Sequence, residues 1–140
     1  MTDVMQTSRG AANLGVQDEG EDWPAQFFRD VDVFDIDVLA AWLADDVEVR
    51  FGNTPPIHGK AAAVQAFAGF WGTIAGMRHA RETVVRLDNL ATQQSVVTYT
   101  TLDGRDVSMP VASHMRRTDS GQLDRLWIYI DMAPLFGVAT

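Results

Sequence analysis

A chain of 140 residues is the size of one domain, and 46% hydrophobic residues supply enough apolar surface for a core. It contains no cysteine, which excludes a disulfide scaffold, a thiol nucleophile and any thiolate metal site. The formal charge of −8 comes from residues 1–48, where twelve acids face two arginines; the other 92 residues carry nine bases and seven acids. Such a chain offers no basic face for phosphates, so no nucleic-acid partner is expected. The longest uncharged runs, residues 61–77 and 89–102, are broken by Gly, Thr, Gln and Ser. Neither reads as a span of ~20 apolar residues, so no membrane partner is expected. No basic stretch followed by an apolar one opens the chain, so no signal peptide is expected and the expected compartment is the cytoplasm.

Residues 1–21 are polar, contain three glycines and hold no sustained period, so they read as a flexible leader ahead of a domain over 22–140. Asp22 then reads as a helix N-cap with Pro24 in the first turn, and Trp23, Phe27, Phe28 and Val31 recur at helical spacing to about Val33. A second helix follows from Asp35 or Asp37 with Val38, Leu39, Trp42 and Leu43 on one face, and Asp45-Asp46 is expected to end it. Val47, Val49 and Phe51 alternate with polar residues as a short strand, and residues 52–59 are a Pro-containing loop. An alanine-rich third helix is expected from Gly59 to about Ala75, closed by Gly76.

Beyond Gly76 everything reads as strand. Residues 77–87 are expected to place Met77, His79, Thr83, Val85 and Leu87 on one side, and strands over 95–102, 105–117 and 123–131 are divided by the turns Asp103-Gly104 and Asp119-Ser120-Gly121. Pro110 inside a strand predicts a bulge. Helices followed by a meander predict an α+β fold, with three N-terminal helices packed on the concave face of a strongly curved antiparallel sheet.

Three stretches then carry a resemblance. Residues 42–67, WLADDVEVRFGNTPPIHGKAAAVQAF, resemble the helix–strand–loop–helix opening of the SnoaL-like branch of the nuclear transport factor two superfamily. Residues 103–117, DGRDVSMPVASHMRR, and 123–137, LDRLWIYIDMAPLFG, resemble its last strands and closing tail. The resemblance covers about residues 22–137 and implies a cone-shaped sheet around a pocket. It also implies relatives among ketosteroid isomerases, limonene epoxide hydrolases and polyketide cyclases. The water-holding Tyr and Asn of the epoxide hydrolases correspond to Phe51 and Asn53, while the charges of their relay have no counterpart in residues 97–101 or at Ile128. The isomerase base has no counterpart in residues 49–53. Asp131, followed by Leu135 and Gly137, resembles the acid/base of the SnoaL-type cyclases.

Each candidate residue has two readings. Asp131 ends an apolar strand, where it serves either as a general acid/base or as a cap for the turn after it. His79 either pairs with a carboxylate across a cavity or is a satisfied core histidine. Asn53 either orients a water or carbonyl or holds its loop through an Asx-turn. Tyr99 and Ser113 offer hydroxyls on inner strands. Trp23, Phe27, Phe51, Phe67, Phe70, Trp71 and Met109 are expected to line an apolar pocket, the alternative being plain core. His58 and His114 stand apart from these, and the histidines lack metal-ligand spacing, so neither metal nor cofactor is expected. Trp127 and Tyr129 alternate with Ile128 and Ile130, which predicts two outward aromatics and a homodimer through the outer sheet face. The expected function is a small-molecule pocket protein: a cofactor-independent isomerase, cyclase or hydrolase for an apolar oxygenated ligand of polyketide, steroid or terpenoid kind. A non-catalytic binding or protein-interaction module of the same fold is the alternative.

Overall fold

The computed structural model describes residues 22–137; the expected leader over residues 1–21 lies outside the described residues. Helix α1 (Trp23–Asp32) starts where Asp22 accepts the N–H of Ala25 at 3.2 Å with Pro24 in the first turn, and it buries Trp23, Phe27, Phe28 and Val31. Its turn into α2 (Ile36–Trp42) passes through Phe34 at φ 67°, a left-handed conformation held by stacking of its ring on Trp71 at 5.1 Å. Asp35 caps α2 by accepting the N–H of Asp37, and the Trp42 indole donates to Asp30 at 2.9 Å, tying α2 to α1.

Strand β1 (Leu43–Phe51) begins directly after α2, so Asp45 and Asp46 lie inside a strand instead of ending a helix. A register shift between Leu43 and Glu48 lets both acids stay exposed while Leu43, Val47 and Val49 are fully buried. The Pro-containing loop holds a two-residue strand, β2 (Ile57–His58), paired antiparallel to β1. Helix α3 (Lys60–Trp71) ends at Gly72, earlier than expected. Ile74 is already buried and paired with Thr101, so β3 (Ile74–Leu87) claims the segment and Gly76 lies within that strand. Strands β4 (Leu90–Thr101), β5 (Asp106–Arg117) and β6 (Leu123–Ile130) follow, and a fourth helix, α4 (Ala133–Phe136), closes the described chain.

The fold is α+β. Its six strands run in the order β2-β1-β6-β5-β4-β3 in a curved, unclosed sheet. The pairing is antiparallel except where β1 lies parallel to β6, which corrects the all-antiparallel expectation. Among the described residues the helices number four, with α1 on β3, α3 on β1, β2 and β3, and α4 on β5. Pro110 makes no bulge with β4; pairing with β6 ends at Val111, so an edge of β5 is unpaired there and a missing N–H disrupts no ladder. Strand β3 carries two register shifts against β4, between Ile74 and Gly76 and between Arg81 and Thr83. The second one reverses strand parity, so Met77 and His79 face inward but Val84 and Arg86 replace the expected Val85 and Leu87, which are exposed. Among the described residues no helix is long and apolar enough to cross a membrane.

Arg81 reaches from β3 to both carboxylate oxygens of Asp22, each at 2.8 Å, so one side chain caps α1 and anchors it to the sheet. The hydrogen bond from Arg81 holds the Asp22 carboxyl below its ordinary value against the opposing effect of burial. A depressed folded-state pKa contributes stability that is present above the unfolded value of 3.8 and is lost as pH falls through the folded one. Asp22→Ala is expected to lose about 0.5–2 kcal/mol near neutral pH, and the gap from the native chain should shrink below pH 3.8. Thermal melts across that range check it.

Candidate functional site

The concave side of the fold holds two chambers that share a wall of Phe51, Phe67 and Phe70. Alternation places Val49 and Phe51 of β1 and Met109 of β5 on this side, and α3 supplies Phe67 and Phe70 one turn apart. Phe51 meets Phe67 edge-on at 6.4 Å and Phe70 at 5.5 Å, while Phe70 meets Tyr99 at 5.4 Å.

The outer chamber is an open cleft of about 1240 Å³ where the loop after β1, the ends of β5 and β6, and α4 converge. It brings together Phe51, Asn53, Phe67, Met109 and Asp131 of the expected set, and extends to Tyr129 and Phe136. Asp131 is exposed, and its Oδ1 accepts the N–H of Ala133 at 3.0 Å. The carboxylate therefore holds the turn that leads into α4 and lines the cleft at once. Asn53 is exposed, and the neighbouring turn is closed by Thr54, whose N–H and hydroxyl both donate to the carbonyl of Phe51. That turn is thus closed by backbone and by a threonine hydroxyl, where an Asx-turn is one of the two readings of Asn53.

The inner chamber is small, about 40 Å³, which holds roughly three waters. Phe27, Phe51, Phe67, Trp71, Tyr99, Ser113 and His79 line it together with Phe28, Met77 and Ile128. His79 is bound twice by Asp32 at the end of α1: Nδ1 lies 2.7 Å from Oδ1, and the backbone N–H of His79 donates to Oδ2 at 2.8 Å. A carboxylate only accepts, so Nδ1 carries a proton, and in the neutral imidazole the lone pair is the one on Nε2. The imidazole is nearly sealed, with 9% of its side chain exposed, and its ring lies 4.7 Å from that of Phe28. Burial pushes the Tyr99 phenol well above its ordinary value, so it stays a donor at physiological pH.

His79 is bonded to a carboxylate, that of Asp32 on α1, a partner that suits the satisfied-histidine reading as well as the catalytic one. The available signal for Asp32 was its position one residue beyond Val31 on a helix whose apolar stripe is buried. Asp131 and Asn53 line the other chamber, so the structure does not gather the three expected catalytic residues in one place. Trp23 lines neither chamber. It is a core residue beneath the Arg117 guanidinium, 5.1 Å from its ring, because it starts α1 at the far end from Asp32.

On the outer sheet face Trp127 is half-buried between two guanidiniums, Arg50 at 3.8 Å and Arg125 at 4.4 Å, while Tyr129 is exposed. The expected pair of open aromatics is therefore one tyrosine and one arginine-covered tryptophan. His114 lies beside them, accepting from Arg125 through Nε2 at 3.3 Å and bonding Thr92 through Nδ1. Burial first, then Arg125 and Arg116, push its pKa below the ordinary histidine value. Among the described residues no cluster of three or more metal-ligating side chains occurs.

A profile of the SnoaL-like domain family matches residues 25–126. No curated protein matches the chain by sequence. Among solved structures, TerC co-crystallised with polyporic acid superposes with a TM-score of 0.67 at 16% identity, covering 81% of this chain and 92% of that one. SalBIII, an epoxide hydrolase/cyclase-like enzyme of pyran ring formation in the polyether salinomycin, gives 0.69 at 14% identity over 79% and 89%. An LEH-like epoxide hydrolase of M. tuberculosis gives 0.68 at 16% identity over 81% and 84%. At these identities the likeness is one of fold.

The floor of the outer cleft turns on Gly52, at φ 56°, whose N–H donates to the carbonyl of Ile128 at 2.9 Å. A Cβ there would sit 3.1 Å from the carbonyl oxygen of Ile130. Gly52→Ala is expected to cost about 1–2 kcal/mol from the left-handed backbone alone. Denaturant unfolding of the variant measures this, and an unchanged midpoint would contradict the strain.

Proposed function

Because the chain belongs to the SnoaL-like family over residues 25–126, we propose that it is a cofactor-independent isomerase, cyclase or hydrolase acting on an apolar oxygenated small molecule. In this reading the curved sheet forms a cone, its interior is the inner chamber, and the outer cleft receives the body of the ligand. The observation that carries it is the double grip of Asp32 on His79 at 2.7 and 2.8 Å inside an aromatic pocket.

That grip fixes the tautomer, so Nε2 takes a proton from the substrate and returns it elsewhere, while Asp32 stabilises the imidazolium that forms. The hydroxyls of Tyr99 and Ser113, on the same chamber wall, supply donors to a carbonyl or alkoxide as charge develops. Asn53 and Asp131 act at the outer cleft, orienting the polar part of the ligand. Asp131 is a weaker acid/base candidate than the resemblance implied, because Oδ1 is already engaged by the N–H of Ala133. Fold relatives that include an epoxide hydrolase/cyclase-like enzyme and an epoxide hydrolase support a pocket protein of this class.

One observation favours the second reading, a non-catalytic binding module. The chamber of about 40 Å³ admits only the edge of a ligand unless Phe67 or Phe70 turns aside. The two readings separate on His79. As a general acid/base its replacement by Gln should lower the rate on an identified ketone or epoxide by roughly two to four orders of magnitude. Asp32→Asn should lower kcat with little change in KM. A binder would show ligand affinity without turnover, and neither substitution would alter a rate.

For assembly we propose a homodimer through the outer sheet face, with Tyr129 at its centre and Trp127 held in place by Arg50 and Arg125. Sedimentation at micromolar concentration should give about 31 kDa, twice the 15.4 kDa chain. Tyr129→Glu should shift the population toward monomer. A monomer that persists at high concentration would contradict the assembly.

A further inference from the structure

Resting on the pocket reading above, we infer that the site selects an uncharged ligand and turns away carboxylates and phosphates. None of the described residues lining either chamber is Lys or Arg. The outer cleft presents the Asp131 carboxylate, and the inner chamber presents an imidazole already tied to Asp32.

The arginines of the surrounding strands are engaged elsewhere. Arg50 covers Trp127 and bonds Glu48 at 3.2 Å, Arg78 bonds Asp106 at 3.3 Å, and Arg81 and Arg116 hold Asp22 and Asp124 at 2.8 Å. The N–H of Ala133 at the start of α4 is likewise taken, by Asp131.

An anion entering the cleft would exchange its hydration for Val49, Phe67 and Met109, find no cation, and face a like charge. A hydroxyl or carbonyl instead meets groups that both donate and accept: the amide of Asn53 outside, and the hydroxyls of Tyr99 and Ser113 within. The ligand class is therefore a neutral, largely apolar molecule bearing hydroxyl or keto oxygens. Free acids, phosphate esters and thioesters of phosphorylated carriers fall outside it wherever their anionic groups must enter the cleft.

The test is calorimetric titration of the full chain at about pH 7.5 with 2-naphthol and with 2-naphthoate, which share a ring system and differ in charge. The naphthol is expected to bind at least about tenfold more tightly. Asp131→Asn keeps a capping side chain and removes the charge. It should raise naphthoate affinity several-fold and so narrow the preference for naphthol over naphthoate. Equal or tighter binding of naphthoate to the native chain would overturn the charge selection while leaving the pocket reading standing. Binding of neither compound up to its solubility limit, with circular dichroism showing a folded chain, would overturn the pocket reading and this inference with it. An unchanged preference in Asp131→Asn would overturn the role given to that carboxylate.

Discussion

The grip of Asp32 on His79 is the contact on which the concave side of this protein depends. One carboxylate receives a backbone N–H and a ring N–H from the same residue of β3, across 47 positions of sequence. Hydrogen bonds to a charged group contribute about 1.5–3 kcal/mol each, more than a neutral contact. The pair therefore pins the C-terminal end of α1 to the sheet, as Arg81 and Asp22 pin its beginning. Held at both ends, α1 presses Phe27 and Phe28 onto the inner chamber and presents the imidazole with one nitrogen unspent. The interaction that ties α1 to the sheet is thus also the one that orients the imidazole proposed as acid/base.

The aromatic wall imposes the second constraint. Phe51, Phe67 and Phe70 separate a chamber too small for a ring system from a cleft large enough for one. Polar groups are few and divided between the two sides, with Tyr99, Ser113 and His79 within and Asn53 and Asp131 without. Such a layout suits a ligand whose bulk is held by apolar contact and whose reactive edge meets a handful of fixed donors. It also gives Asp131 two places, since the residue that accepts the N–H of Ala133 through Oδ1 lines the cleft as well.

Local signals were legible in the sequence wherever a single element decided them. The Asp22 cap with its proline, the apolar stripe of α1 and the alternation of β1, β5 and β6 are all properties of a few consecutive residues. What escaped depended on partners distant in the chain. The parallel pairing of β1 with β6 joins strands some 75 positions apart, and nothing within either strand encodes its direction (for example Val49 beside Leu126). The register shift at Arg81–Thr83 reverses parity halfway along β3, so a strict alternation read from Met77 fails at Val84. The same limit governs the site. His79 could be read as wanting a carboxylate, but choosing Asp32 among nineteen acids requires the fold. Trp23 carried the right chemistry for a pocket and the wrong place on its helix.

Charge placement follows from the same strand parity. On β1 and β6 inward positions are filled by Val49, Leu126 and Ile128, so Arg50, Arg125 and Trp127 necessarily fall on the other face. There the guanidiniums cover an indole and crowd His114, which burial and the arginines together keep toward its neutral form. Much of the basic excess of the C-terminal two-thirds thereby lies on the outer face and the rim, where acids such as Glu48, Asp106 and Asp124 answer it, while Arg86 is buried on β3. With Arg50 and Arg125 turned outward, the described lining of the two chambers holds no Lys or Arg, and its polarity rests on hydroxyls, the Asn53 amide, the Asp131 carboxylate and one imidazole. That division is the ground of the proposed preference for uncharged molecules.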